Sequence, residues 1–183
     1  YEGLSQEKKT AIKAYKNRHA DEVQYTKYVK RLGGENMPKT LELFQKMKYN
    51  DSERWGDYKY YYRNIDGRPI EYVKIDRELS KLGITNKGRA YPVEQLKIAE
   101  WSAHSQKRMA QDGVSKDDAV SFCNEAIAIM KKYPNPETQY NYYHNNGITG
   151  IRKRDGVVNT VIGKVRFGED TEKILEVMNK WLN

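Results

Sequence analysis

Apolar positions recur at helical spacing through the first third of the chain. Leu4, Ala11, Ile12, Tyr15, Val29 and Leu32 form an incomplete stripe, broken by His19 and Glu22, that predicts a helix over 4–32. Gly33-Gly34 supplies its stop. Met37-Pro38 opens a short helix with Leu41, Phe44 and Met47 on one side. Asn50-Asp51-Ser52 offers an N-cap for a third helix through Trp55, Tyr58 and Tyr62. Asp66-Gly67-Arg68-Pro69 is a turn signal. Residues 70–82 suit either a strand followed by a helix or a helix throughout. Gly83, Asn86, Gly88 and Pro92 mark 83–92 as a linker between a basic, mostly helical module (1–82) and a second domain (93–183).

In the second domain the pattern predicts a helix over 93–111, closed by Asp112-Gly113. Ser115 to Asp118 is a variant capping box, with Val114 and Ala119 placed as a hydrophobic staple. The helix it opens is expected to run to about Lys132, before Pro134 and Pro136. Strands are expected near 138–144, 148–154 and 157–165. After Gly168, a last helix carries Ile174, Leu175, Met178, Trp181 and Leu182 on one side. The fold class is therefore α+β. A helical module precedes helices packed on a small antiparallel sheet of three to four strands, with a C-terminal helix.

Asp155-Gly156 suits a two-residue type I′ hairpin turn. That register pairs Arg154 with Val157, Lys153 with Val158, Arg152 with Asn159 and Ile151 with Thr160. One face then carries Ile151, Val158, Thr160 and Ile162, with Lys153 at its end, and should cover helices. The other carries Gly150, Arg152, Arg154, Asn159 and Gly163. If Asn146-Gly147 is also a two-residue turn, Asn141 and Tyr143 join this second face and His144 lies opposite. The second face is either a plain solvated surface or a phosphate-binding floor, because arginine offers paired donors to phosphate and glycine lets a backbone approach. Tyrosine beside arginine also suits base stacking, although tyrosine is an ordinary strand former.

Composition narrows the setting. The chain has 183 residues, 38% hydrophobic and 32% charged, with a mean hydropathy of −0.96. That is polar for a globular protein but too rich in large apolar residues for disorder. No stretch approaches the about 18 apolar residues of a membrane span, so no membrane partner is expected. No signal segment opens the chain, and its start at Tyr1 reads as an excised piece of a longer protein. The single cysteine, Cys123, excludes an internal disulfide and a cysteine-based zinc site. Its place in the row Ala119, Cys123, Ala126, Ile127, Met130 predicts a core thiol, a usage compatible with a reducing cytoplasm. The net charge of +8 is concentrated in residues 1–89, which carry an excess of seven positive charges. Such asymmetry marks either a half that faces nucleic acid or an acidic partner, or a solvated helix surface.

Chemistry is thinly signalled. On the expected 93–111 helix, Glu100, His104 and Arg108 fall on one stripe, flanked by Lys97 and Trp101. A carboxylate one turn from an imidazole orients it, and a guanidinium one turn further on suits a phosphate. RNA cleavage by 2′-hydroxyl attack needs a base, an acid and cations around the phosphorane-like transition state. His104, Arg152 and either His144 or a hydroxyl are the candidates for those roles. The bland alternative is an exposed charge stripe. His19, His104 and His144 are not paired at metal-ligand spacing, and the acidic pairs Asp117-Asp118 and Glu169-Asp170 sit at helix starts. No metal or cofactor is expected, since neither a Gly-rich phosphate loop nor a Gly-x-Ser-x-Gly elbow is present.

The stretch Gln24 to Trp55, QYTKYVKRLGGENMPKTLELFQKMKYNDSERW, resembles a helical segment of phage and prophage minor head (minor capsid) proteins. That segment commonly precedes a variable domain of polymorphic-toxin type. In the second domain, His104-x-x-x-Arg108 followed by Asp112-Gly113-Val114-Ser115 is similar to the helix pair of barnase/EndoU/RelE-like toxin domains. The Gly156 to Thr160 segment fits their Gly-x-x-x-Thr strand. The resemblance implies ribonuclease activity on cellular RNA with His104, Arg108, Arg152 and Thr160 in the site. Together with His144, these are the expected catalytic residues, and Asn141, Tyr143, Arg154 and Asn159 are the expected substrate contacts. Expected partners are nucleic acid, RNA ahead of DNA, phage head proteins and an immunity protein. The expected location is the virion or the bacterial cytoplasm. The alternative is a non-catalytic phage structural or adaptor module that binds nucleic acid or a protein. In that case Lys8, Lys9, Lys13, Lys16 and Arg18 would supply contacts; the Tyr58, Tyr60, Tyr61, Tyr62 cluster is either a stacking platform or, as the favoured reading, core or interface packing.

Overall fold

The computed structural model describes residues 3–132 and 134–183. The chain divides into two compact units, Tyr1–Ile70 and Glu71–Asn183. Among its described residues the first contains three full α-helices and a short 3-10 turn at Gly34–Asn36. Ser5 caps α1 (Gln6–Leu32), and Gly33 ends it. Thr40 caps α2 (Leu41–Asn50) through a hydroxyl that accepts from Leu43 N. The helix expected to open at Met37-Pro38 thus starts a few residues later, where the first good cap occurs. Asp51 caps α3 (Ser52–Asn64), as its place before the helical pattern predicts.

Aromatic rings fill the space between these helices. Tyr28 stacks on Tyr62 with centroids 4.3 Å apart, and Phe44 meets Trp55 edge-on at 5.5 Å. The tyrosine run of α3 therefore serves packing through Tyr62. The buried carboxylate of Asp21 is satisfied by Lys48 Nζ at 2.7 Å, Gln45 Nε2 at 3.1 Å and the Tyr49 hydroxyl at 2.9 Å. Burial pushes its pKa up, but these hydrogen bonds outweigh that and leave it below the usual carboxylate value.

The second unit is α+β, with a six-stranded mixed sheet in place of the three to four strands expected. Helix α4 (Ile70–Lys81) settles the ambiguity at 70–82 in favour of helix throughout. The strands are β1 (Arg89–Tyr91), β2 (Glu100–Trp101), β3 (Ala128–Lys131), β4 (Gln139–His144), β5 (Gly147–Arg152) and β6 (Val157–Gly163). Their order is β1-β3-β4-β5-β6-β2, antiparallel except for β2 against β6. Helices α5 (Ala103–Asp112) and α6 (Lys116–Asn124) precede β3, and α7 (Glu169–Leu182) ends the chain. The capping box at Ser115 and Asp118 forms as expected. On one sheet face, Ala128, Met130, Tyr143 and Ile148 pack with Ile75 and Leu79 of α4 and Ile174 and Met178 of α7. On the other, Ile129, Tyr142, Ile151, Val158 and Val161 pack with Met109, Ala119 and Cys123.

Four expectations at the level of elements are corrected. The helix expected over 93–111 covers only Ala103–Asp112. Residues before it gain more from the sheet: Ala99 N donates to Gly156 O at 2.9 Å and Ser102 N to Val158 O at 3.0 Å. Ser102 then becomes the N-cap. The helix expected to reach about Lys132 stops at Asn124, because the fully buried run Ala128–Lys131 enters the sheet between β1 and β4. A short apolar run does not distinguish a buried strand from a helix, and here tertiary pairing decides. The 83–92 segment expected as linker contains β1, whose Ala90 N donates to the buried Asp76 carboxylate at 2.8 Å.

The fourth correction is the hairpin register. Gly156 sits at φ 69°, and Lys153 to Gly156 form the loop, with Gly156 N donating to Arg152 O at 2.9 Å. Ile151 pairs with Val158 but Gly150 with Thr160, so Asn159 is the extra residue of a β-bulge. Thr160 and Ile162 consequently leave the face of Ile151 and Val158. They join Gly150, Arg152 and Asn141. The preceding turn is Asn145-Asn146 rather than Asn146-Gly147. That shift of two pairing positions preserves parity, leaving Asn141 and Tyr143 on the Arg152 face and His144 opposite.

Two predictions arise here. A Cβ at Gly156 would lie 2.5 Å from Lys97 O, whereas one at Gly113, also at φ 69°, meets nothing within 4 Å. Gly113→Ala should cost about 1 kcal/mol of conformational strain, and Gly156→Ala at least about twice that. Urea midpoints measured side by side check the ratio. Burial pushes the Cys123 thiol up to about 11. A thiol reagent at pH 8 should therefore label Cys123 only after denaturant is added.

Candidate active site along strand β6

Helix α5 crosses β6 and encloses a depression of about 220 Å³ lined by His104, Arg108, Thr160, Val161, Ile162 and Arg166. His104 and Arg108 lie one helical turn apart on α5, and Thr160, Val161 and Ile162 come from β6. Arg166 follows β6 and is fixed by Asp112, with Nη2 2.7 Å from Oδ1 and Nε 3.0 Å from the same oxygen. The same carboxylate accepts from Gly163 N at 3.0 Å. The Arg166 guanidinium beside Asp112 holds that carboxyl below its ordinary value, with the Gly163 amide assisting and burial opposing. The result is an imidazole, two guanidinium groups and a hydroxyl around one concavity.

A second cleft, of about 300 Å³, adjoins the first through Thr160 and Ile162, which line both. Its floor holds Gln139, Asn141 and Tyr143, and its walls include Lys87, Lys132 and Thr171. Gln139 Nε2 donates to Asn141 Oδ1 at 2.7 Å. These amides lie close over Gly150, where a Cβ would come within 2.5 Å of Gln139 Nε2 and 2.6 Å of Asn141 Oδ1. Gly150 therefore keeps the floor open. Amide groups read base edges, and lysines at the walls suit phosphates.

The other expected site residues fall elsewhere. Arg152 shares the second cleft's sheet face but lines neither concavity, and Asp155 holds it through Nε at 3.0 Å and Nη2 at 2.9 Å. Arg154 is exposed, with Nε 3.8 Å from Asp155. Asn159 occupies the bulge, its Oδ1 accepting from the Thr160 hydroxyl at 3.2 Å. His144 stacks on Phe122 with centroids 5.3 Å apart, its Nδ1 accepts from Asn146 N at 3.0 Å, and Nε2 lies 3.7 Å from Glu125. Glu100 belongs to β2, so the expected helical stripe of Glu100, His104 and Arg108 does not form.

Arg166, Lys87, Lys132 and Gln139 escaped the sequence pattern. Arg166 carried one signal, a cation three residues after the last strand, but its partner Asp112 is remote in sequence. A further polar cluster is structural. Lys131 Nζ lies 4.1 Å from the Tyr140 ring centroid, 4.6 Å from that of Tyr91 and 3.7 Å from Glu94 Oε2. Burial pushes the Lys131 ammonium down and the Tyr140 phenol up to about 12, Glu94 adding to the latter. This cluster fastens the segment at Glu94 to the sheet. Among the described residues no three His, Cys, Asp or Glu side chains converge as metal ligands, and no helix is long and apolar enough to cross a membrane. Comparison with protein-family models, curated proteins and solved structures finds no match to the chain.

Asp112 ties α5 to β6, so Asp112→Asn should lower stability at pH 7 by about 1 kcal/mol, Arg166 being partly exposed. The folded pKa is depressed, so this stabilisation is complete above the unfolded carboxylate value of 3.8 and disappears as pH falls through the lower folded value. Denaturation curves of the two proteins should differ at neutral pH, and the difference should shrink as the pH is lowered past the unfolded carboxylate value of 3.8.

Proposed function

We propose that the second unit is a metal-independent ribonuclease of a phage-head-associated protein. The observation that carries the enzymatic part is the convergence of His104, Arg108, Thr160 and Arg166 on one depression beside an amide- and lysine-lined cleft. In this reading the second cleft receives a nucleotide, with Gln139 and Asn141 on base edges and Lys87 and Lys132 beside phosphates. His104 takes the proton from a ribose 2′-hydroxyl. The 2′-oxygen attacks phosphorus, the bond to the 5′-oxygen breaks, and solvent protonates the departing oxygen. The products are a 2′,3′-cyclic phosphate and a 5′-hydroxyl. Arg108 and Arg166 offset the charge that develops on the non-bridging oxygens, where fixed donors act most strongly. The Thr160 hydroxyl, released from Asn159 Oδ1, turns to donate a hydrogen bond to the same group. The phage setting rests on the resemblance of Gln24 to Trp55 to minor head protein segments.

The test is incubation of the purified chain with total RNA in EDTA. The wild type should release cyclic-phosphate ends. His104→Ala should be slower by at least about a hundredfold, the range for a lost acid-base group. Arg166→Ala should also be impaired, and His144→Ala should retain activity. If the wild type is folded and leaves RNA intact, the enzymatic reading is overturned and a nucleic-acid-binding adaptor takes its place.

A further inference from the structure

The first unit contains a groove of about 580 Å³ lined by residues of α1, α2 and α3. Its size lies within the about 300–1,000 Å³ of ligand-binding clefts. Gln24, Lys27, Lys48, Lys59, Tyr62 and Arg63 line it, and no acidic side chain does so among the described residues. Lys48 is neutralised by Asp21 at 2.7 Å. Lys27, Lys59 and Arg63 enter no ion pair among the described residues. Lys59 and Arg63 are one turn apart on α3, and Lys27 lies across the groove on α1. Three like charges around one concavity repel each other, and a polyanion relieves that repulsion. The aromatic rings here are engaged with each other, Tyr62 stacking on Tyr28 at 4.3 Å and Tyr28 on Trp55 at 5.5 Å. Recognition therefore falls on phosphates rather than bases.

We propose that this groove binds the phosphodiester backbone of a nucleic-acid strand, with Lys27, Lys59 and Arg63 as its phosphate contacts. The site is independent of the ribonuclease reading and serves to hold a strand without regard to sequence.

The experiment measures fluorescence anisotropy of a labelled oligodeoxythymidine of about 20 nucleotides, long enough to span a single-strand site, on the full chain. A deoxy strand has no 2′-hydroxyl, so the proposed cleavage cannot consume it, and loss of ribonuclease activity leaves this result untouched. Each phosphate contact to a single strand contributes about −0.7 to the slope of log affinity against log salt. The combined variant Lys27→Gln, Lys59→Gln, Arg63→Gln should therefore reduce the slope by about 2 and weaken binding by at least about tenfold at about 50 mM KCl. Arg63→Lys should keep the wild-type slope. Lys8→Gln, Lys13→Gln, Lys16→Gln, exposed near the start of α1, should also keep it. Circular dichroism confirms that each variant is folded. Absence of wild-type binding, an unchanged slope in the groove variant, or an equal loss in the α1 control overturns the proposal. Equal competition by polyglutamate also overturns it, since the site would then answer to any acidic polymer.

Discussion

Strand β6 grips helix α5 at both ends, and the second unit's candidate chemistry depends on that grip. At the helix start, the amides of Ala99 and Ser102 donate to carbonyls of Gly156 and Val158. At its end, the Asp112 carboxylate accepts from the Gly163 amide and Arg166. A helix held at one end can swing, whereas one held at two keeps its side chains at a fixed height above the strand. His104 and Arg108 thereby face the segment carrying Thr160. Gly156 makes the first attachment possible, since any side chain there would meet the Lys97 carbonyl. The two-residue length of β2 also keeps the sheet edge short, which limits unwanted pairing with other chains.

Local chemistry made several elements legible. The caps at Asp51 and Ser115, the stop at Gly33 and the last helix all follow from side-chain hydrogen bonds or periodicity within a few residues. Where partners are remote, the pattern failed. Ala128–Lys131 looks like the end of a helix until β1 and β4 flank it. Residues 99–102 look helical until the edge of β6 accepts their amides. The Asp155-Gly156 pair correctly marks a turn but not its length, because a glycine at positive φ closes a four-residue loop as readily as a two-residue one.

The site was legible in the same uneven way. His104, Arg108 and Thr160 line one depression, and Asn141 and Tyr143 line the adjoining cleft with Thr160. A one-residue change of register moved Thr160 to the face of Asn141 and Arg152, reversing the arrangement inferred from an ideal hairpin. Arg152 and His144 carry suitable chemistry but line neither concavity; Asp155 engages the first, and Phe122 and Glu125 engage the second. Residue type alone does not reveal such commitments.

The two compact units each own their core. Tyr28, Phe44, Trp55 and Tyr62 are satisfied before residue 70, and the layers around the sheet draw only on residues after it. The boundary falls at the first residue of α4. Genetic recombination at this point would exchange one half while leaving the aromatic cluster and the sheet layers each in one piece. The joint is thus a natural crossover point, at which one helical front half could acquire successive, unrelated cargo domains during evolution without a round of compensating core mutations.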